Sequence, residues 1–377
     1  MPRLLVSSGE ASGELYGAEL VRHLRGLTGS LDVFGLGGDR LAAEGAALLA
    51  HVRELAVVGL LEVVSHLPRL RRVFAGLLAE VERRQPDLAV LIDYPDFNLR
   101  LARELRRRGV RVVYYVSPQV WAWRPGRIRT IRETAEKVLV IFPFEEALYR
   151  EAGVPVSFVG HPLIDHVRPA ADPAAFLREI GLDPARPVVA VLPGSRPKEV
   201  RQILPALAGA IELLARRHPG LQFLVAQAPA LDASLYAAVA SRPELRLVRG
   251  RSHEALSVAS VGLVASGTAT VEAAILGTPM VVVYRLSRLT YALGKPLVRV
   301  PHYAMANLIA GRRIVPELVQ ADFTPARVAE QAGALLADAA LRERMRADLA
   351  EVRRRLGEPG ASARAAAEIA ALLRSRG

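Results

Sequence analysis

Apolar residues along this chain fall into short runs, and the runs alternate with longer stretches of helical pattern. In the first half the runs are 3–8 (RLLVSS), 31–36 (LDVFGL), 87–92 (DLAVLI), 111–116 (RVVYYV), 137–142 (KVLVIF) and 156–159 (VSFV), with helical stretches such as 15–27, 68–84 and 98–108 between them. Strands alternating with helices predict βαβ units and a parallel sheet. A proline-rich connector, 162–186, interrupts the pattern. It then resumes with 187–193 (PVVAVLP), 221–227 (LQFLVAQ), 245–250 (LRLVRG), 261–266 (VGLVAS) and 279–285 (PMVVVYR), and the last stretch of the chain is helical. The expected fold is α/β: two Rossmann-like, doubly wound parallel-sheet domains, 1–165 and 166–351, facing across a cleft. Sheets of this kind bind ligands beyond the carboxyl ends of their strands.

Composition narrows the chemistry. The 377 residues are 51% apolar, enough for two buried cores. Cysteine is absent, which excludes a disulfide framework, a thiolate nucleophile and a cysteine-ligated metal. No Asp/Glu/His cluster has metal-ligand spacing, so neither a metal nor another cofactor is expected. The first apolar segment is too short for the core of a secretory leader. The most apolar window, 256–284, is broken by Ser266-Gly267, Glu272, Gly277 and Pro279, so no membrane span is expected. The net charge is +12, carried by 47 Arg and 3 Lys. The arginines are scattered over helix faces without interleaved aromatics, which argues against nucleic acid and favours an anionic membrane surface. Asparagine occurs twice, as Asn98 and Asn307. In a chain depleted of thermolabile residues, a surviving asparagine points to a need for it.

Each candidate motif falls at the end of a predicted strand. In 189–200 (VAVLPGSRPKEV) a strand meets Gly194, Ser195 and Arg196 and then a helix. Gly194 permits close backbone approach, Ser195 is the expected cap, and Arg196 offers a planar fork to phosphate oxygens. In 262–279 (GLVASGTATVEAAILGTP) the turn Ser266-Gly267-Thr268-Ala269 opens a second helix, whose N–H groups and dipole suit an anion. Glu272, one turn on, is placed to accept ribose hydroxyls. The two turns are expected to converge on one diphosphate. Neither is a P-loop, so a nucleoside-diphosphate-linked substrate fits better than ATP chemistry.

The first half carries other chemistry. In 90–98 (VLIDYPDFN) Asp93 stands just past a strand and is the expected general base, with Asn98 nearby assigned to the acceptor and Asp96 as the helix cap. Segment 115–131 holds Trp121 and Trp123, placed to stack on a sugar or to pack in the core. The opening segment 4–20 (LLVSSGEASGELYGAEL) resembles a phosphate turn, but Glu10 and Glu14 would repel a diphosphate. With Ser12 and Gly13 it is therefore assigned to the acceptor. Residues 57–78 mix Leu, Val and Phe with Arg69, Arg71 and Arg72, a pattern that suits an amphipathic patch on a membrane.

Together SSGEASGELYGAEL, AVVGLLEVVSHLPRL, IDYPDFN, YYVSPQVWAWR, IFPFE, FVGHPL, LPGSR, ASGTATVEAAILGTPMVVVYR and NLIAGR resemble the lipid-A-disaccharide synthase family, in order from about residue 3 to residue 330. The resemblance implies a GT-B glycosyltransferase with inverting, metal-free chemistry. Its donor would be UDP-2,3-diacylglucosamine, its acceptor 2,3-diacylglucosamine 1-phosphate, and its products a β-1,6 disaccharide and UDP. It implies that Asp93 is critical, that Arg196, Ser266 to Ala269 and Glu272 serve the donor, and that Asn307 belongs to a donor-side motif. It also implies a C-terminal helix, about 352–377, packed back onto the first domain, and a cytoplasmic enzyme held peripherally at the inner face of the cell membrane. Glu14, Gln119 and Ala306 stand where Asp, Ser and Pro are usual. A homodimer is compatible with this reading. The rival readings are another UDP-sugar enzyme on the same fold, such as a UDP-GlcNAc 2-epimerase or a cell-wall glycosyltransferase, and a non-catalytic UDP-sugar-binding protein.

Overall fold

A computed structural model describes residues 1–55, 60–121, 126–240, 242, 244–286 and 301–375. The chain divides into two compact units: Met1–Asp165 with Leu356–Gly377, and His166–Arg355.

The strands of the first unit are β1 (Arg3–Ser8), β2 (Asp32–Gly37), β3 (Ala47–His51), β4 (Leu88–Ile92), β5 (Arg111–Tyr115), β6 (Lys137–Val140) and β7 (Val156–Phe158). They form one sheet in the order β3-β2-β1-β4-β5-β6-β7, and every pairing is parallel. The second unit has β8 (Val188–Leu192), β9 (Gln222–Gln227), β10 (Leu245–Arg249), β11 (Val261–Ala265), β12 (Met280–Tyr284) and β13 (Glu317–Val319), ordered β10-β9-β8-β11-β12-β13 and again parallel. The helices that bear on function are α1 (Ala11–Thr28), α2 (Asp39–Ala43), α3 (Leu60–Arg84), α4 (Pro95–Arg107), α5 (Pro143–Glu151), α6 (Pro197–Arg217), α7 (Thr268–Leu276), α8 (Met305–Ala310) and α9 (Ala361–Arg374).

The sequence explains the sheets. β4 (LAVLI) and β8 (VVAVL) are buried at every position, as strands covered on both faces must be. Leu5, Phe34, Leu91, Tyr114 and Val140 share one core. Phe176, Leu177, Val188, Leu224 and Val248 share another. Each such side chain contributes about 1.5–3 kcal/mol on burial. The sequence pattern missed β3 and β13. Both are short edge strands, and an edge strand needs no apolar run on both faces.

Each sheet reverses its winding at its middle, between β1 and β4 and between β8 and β11. A reversal leaves a crevice at the carboxyl ends of those two strands. In the first sheet Ser8 pairs with Ile92, and Ile92 with Tyr115. Gly9, Asp93 and Val116 therefore leave the sheet side by side. In the second, Leu192 pairs with Val264, so the Pro193 and Ala265 ends lie together.

Two segments, α1 and α3, differ from the sequence pattern. Helix α1 begins at Ala11, so Glu10 takes the cap position, without a side-chain capping hydrogen bond, and Ser12, Gly13 and Glu14 form its first turn rather than a loop. Helix α3 presents Leu70, Val73, Phe74 and Leu78 to the core of the first unit. Leu70 and Phe74, in the 57–78 stretch expected to form a membrane patch, are thus partly buried against the sheet, whereas 57–59 and the side chains up to Leu67 lie outside the described residues. Arg69, Arg71 and Arg72 are exposed. Finally, α9 belongs to the first unit and packs along α1. Ser362 Oγ donates to Glu19 Oε2 at 3.0 Å, Arg111 Nη1 donates to the Leu372 carbonyl at 2.8 Å, and Lys137 Nζ reaches Glu368 Oε2 at 2.6 Å.

Candidate functional site

Three non-glycine residues with left-handed backbone meet where β4 and β5 end: Asp93 (φ 46°), Tyr94 (φ 50°) and Val116 (φ 58°). Such conformations cost about 1–3 kcal/mol each and persist only where the surroundings over-determine them. The surroundings here do so. The Asp93 N–H donates to the carbonyls of Tyr115 and Val116, both at 3.2 Å. The Asp93 carbonyl accepts from Tyr114 Oη at 2.7 Å and from Asn98 Nδ2 at 2.8 Å. Four polar contacts thus hold the main chain of one residue, while its carboxylate-bearing side chain is only partly buried.

Asn98 is fully buried. Its amide also donates to the carbonyls of Ser7 and Ile92, and its oxygen accepts from Ser7 Oγ at 2.7 Å. Its polar capacity is spent inside the protein, so it ties β1 to β4 and shapes the Asp93 turn rather than contacting an acceptor. Asp96 is not the helix cap. Tyr94 occupies that position, and Asp96 pairs with Arg127. Gly9 has a specific reason: a Cβ there would stand 2.2 Å from the Tyr94 ring. The link between β1 and α1 is therefore in contact with the Asp93 turn.

On α1, Ser12 is exposed and Gly13 buried. Glu14 is 7% exposed, and its Oε1 accepts the Leu41 N–H at 2.9 Å, in the first turn of α2. This corrects its assignment to the acceptor, because the carboxylate serves a neighbouring helix start. Glu10 and Ser12 remain the polar groups of that turn with outward exposure. Trp121 is partly buried. Its indole Nε1 donates to Glu145 Oε1 at 3.1 Å, and its ring packs edge-on against Phe144 at 5.1 Å. Trp123 lies outside the described residues.

Glu145, on α5, is the acid that sequence reading missed. It is 1% exposed, and Oε2 accepts the Phe142 N–H at 3.3 Å. Burial pushes its carboxyl up to about 8, against the hydrogen bonds from Trp121, Phe142 and Ile141, and the charge of Asp93 adds to the rise. His161 is also buried, and burial lowers it to about 3, so it is neutral at ordinary pH.

In the second unit, β8 runs into Pro193-Gly194 and α6 starts at Pro197. Gly194 has φ +123°. The cap position is Arg196, not Ser195. The N–H groups of Ser195 and Arg196 both donate to Glu199 Oε2, at 3.0 and 3.3 Å, and Arg196 Nη1 lies 3.4 Å from Glu199 Oε1. Those two N–H groups are already satisfied by an internal carboxylate. What the turn offers an anion is chiefly the exposed guanidinium of Arg196.

The β11 turn is arranged differently. Gly267, at φ +144°, precedes α7. No hydrogen bond among the described residues engages the N–H groups of Thr268 and Ala269, and a helix start of this kind attracts anions. Ser266 Oγ donates to the Tyr303 carbonyl at 2.7 Å, so the hydroxyl braces a loop. Glu272 is partly buried, with Oε1 3.7 Å from His253 Nε2. His253, near the start of the helix that follows β10, carried no sequence motif that marked it.

Asn307, on α8, is fully buried. Its oxygen accepts the N–H groups of Ile314 and Val315, and its amide donates to the Val315 carbonyl and to Glu317 Oε1 at 2.7 Å. Glu317 in turn accepts the N–H groups of Tyr303 and Ala304. This corrects the assignment of Asn307 to the donor: it holds the Glu317 carboxylate that pins the loop braced by Ser266.

Two parallel α/β sheets in tandem, each with polar groups gathered at its reversal point, define the GT-B fold. Known structures agree in fold. The glycosyltransferase of kitacinnamycin is 19% identical, with a TM-score of 0.65, covering 98% of this chain and 99% of that one. UDP-GlcNAc 2-epimerase from Neisseria meningitidis, bound to UDP-GlcNAc, is 13% identical, with a TM-score of 0.65 and the same coverage. The sequence goes further. The profile of the lipid-A-disaccharide synthetase family matches residues 4–371. The lipid-A-disaccharide synthase of Myxococcus xanthus is 46% identical over 378 residues, 99% of this chain and 98% of that protein. The chain belongs to the lipid-A-disaccharide synthetase family, and it is a glycosyltransferase.

Proposed function

We propose that this enzyme joins a UDP-linked 2,3-diacylglucosamine to 2,3-diacylglucosamine 1-phosphate, with inversion, giving the β-1,6 disaccharide 1-phosphate and UDP. Asp93 takes the proton from the acceptor 6-hydroxyl as that oxygen attacks the anomeric carbon of the donor. The bond to UDP breaks on the opposite face. Charge builds on the departing diphosphate, where Arg196 and the N–H groups of Thr268 and Ala269 stabilise it. Glu272 serves the ribose. The first unit supplies the base, and the second holds the donor.

The observation that supports this most is the Asp93 turn. Strained backbone held by Tyr114, Asn98, Tyr115 and Val116 is hard to account for as a device of stability alone. It aims one carboxylate. A positioned base is worth about 10²–10⁴-fold in rate.

Acyl chains tie both substrates to a lipid surface, so the enzyme works peripherally at an anionic membrane. The exposed Arg69, Arg71 and Arg72 and the net charge of +12 support this. No helix among the described residues is long and apolar enough to cross a membrane.

UDP release measured over a panel of acylated and non-acylated glucosamine 1-phosphates tests the reaction. Release that requires the acylated acceptor is the expected result. Release without any acceptor, or none with any, overturns the proposal.

A further inference from the structure

We propose that Glu145 is a positioning residue of the Asp93 site, fixing the Trp121 indole on the segment Val116–Trp121 that flanks the base. This rests on the reading of Asp93 given above and deepens it.

The argument starts from the backbone. The Asp93 N–H donates to the Val116 carbonyl, so the segment that leaves β5 at Val116 is hydrogen-bonded to the residue carrying the base. Val116 itself holds left-handed backbone, which sends the chain sharply out of the sheet. Ser117 follows, and its hydroxyl meets Tyr149 Oη at 2.6 Å in the core. Four residues later Trp121 is anchored from the other side. Its single polar atom donates to Glu145, and its ring abuts Phe144. Phe144 stacks on Phe142, and Phe142 lies 5.0 Å from His161. The segment is thus pinned to α5 at both ends, by Tyr149 through Ser117 and by Glu145 through Trp121.

Glu145 is an unusual choice for this task. A buried ionised carboxylate is costly, and the group has no cationic partner among the interactions described above. It remains largely an uncharged acid at neutral pH. The groups facing it are Asp93 from the end of β4, Trp121 from the segment after β5, Tyr149 from its own helix, and the N–H groups of Ile141 and Phe142. His161 beyond Phe142 is neutral. Ionising Glu145 would place a second negative charge beside Asp93 and strain the hold on Trp121. Oε2 closes the start of α5 by accepting the Phe142 N–H, while Oε1 holds the indole, so one buried carboxyl ties the Trp121 segment to that helix start.

The test separates this role from simple stability. With two tryptophans in the chain, Trp123→Phe leaves Trp121 as the sole indole emitter. In that background Glu145→Leu is expected to release the indole, shifting its emission to the red and increasing acrylamide quenching. The parent emission is expected to titrate with a midpoint near 8, and Glu145→Gln, which keeps one acceptor oxygen but cannot ionise, abolishes that titration. In the otherwise natural enzyme, Glu145→Leu raises KM for the acceptor about tenfold while KM for the donor stays put. Glu145→Gln restores most of the loss at pH 7. In a Trp121→Phe background Glu145→Leu does little more, since the two residues act as one unit.

Unchanged quenching in Glu145→Leu, or equal losses with and without Trp121, would overturn the proposal. So would donor and acceptor KM rising together in a folded protein. Should Glu145→Leu fail to fold, the Glu145→Gln titration and its cycle with Trp121→Phe decide the matter. Fluorescence does not depend on turnover. A wild-type protein that releases no UDP but shows the emission changes would defeat the proposed reaction and leave the Glu145–Trp121 coupling standing.

Discussion

At the reversal point of the first sheet the left-handed backbone is carried by Asp93, Tyr94 and Val116. At the reversal point of the second it is carried by glycines, Gly194 and Gly267. The same strand order has been fitted out in two ways. In the first unit, side chains remain on strained positions, and a buried amide, a tyrosine hydroxyl and neighbouring carbonyls hold them there. That arrangement fixes the main chain that carries one carboxylate. In the second unit the strained positions have no side chain, which leaves the backbone open to close approach by a ligand. Base chemistry demands a positioned atom, whereas diphosphate binding demands accessible N–H groups and a cation.

The largest expected effect breaks the first half of that comparison. Asp93→Asn removes the base without altering the turn, and turnover should fall by about 10²–10⁴-fold. UDP binding, measured by titration calorimetry, should be unchanged. The next breaks the second half. Arg196→Ala removes a charge-assisted contact worth about 1.5–3 kcal/mol, so UDP affinity should drop by roughly 10–100-fold. Asn98→Ala then separates structure from chemistry. It leaves the carbonyls of Ser7, Ile92 and Asp93 without their buried donor, and denaturant unfolding should show a loss of about 1–3 kcal/mol. UDP affinity should again be untouched, because Asn98 belongs to the first unit.

The smallest effect concerns pH. Glu145 titrates near 8 in the folded protein against 4.5 when unfolded, so the folded state binds the extra proton across that window. Its contribution to stability is therefore lost as pH rises from about 4.5 to about 8. His161, lowered from 6.5 to about 3, acts in the opposite sense, and its contribution is lost as pH falls through that range. The two overlap, so the informative quantity is a difference. Thermal melts of Glu145→Gln and wild type should converge toward pH 4 and favour the variant increasingly toward pH 8.

The central strands and both helix-start motifs were legible because buried parallel strands read as unbroken apolar runs and glycine marks the turns that follow them. Asp93 was legible for a similar reason, as an acid directly after such a run. Less legible were residues whose meaning depends on partners far away in sequence. Asn98 and Asn307 carried a compositional signal, and both are buried with their amides spent on internal hydrogen bonds. Glu14 looked like part of a polar turn, yet Leu41 uses its carboxylate. Glu199, one turn on in PGSRPKE, reads from the sequence as support for the helix start; its carboxylate does accept the N–H groups of Ser195 and Arg196, and this takes both away from a phosphate. Glu145 had no signal beyond its place in IFPFE, because nothing local announces that a carboxyl will be buried beside an indole.

The account depends on where the nucleotide sits. A crystal soaked with UDP reports this most directly. The diphosphate is predicted against the N–H groups of Thr268 and Ala269 with Arg196 alongside. Electron density for UDP along Gly9–Gly13 at the start of α1 would contradict it.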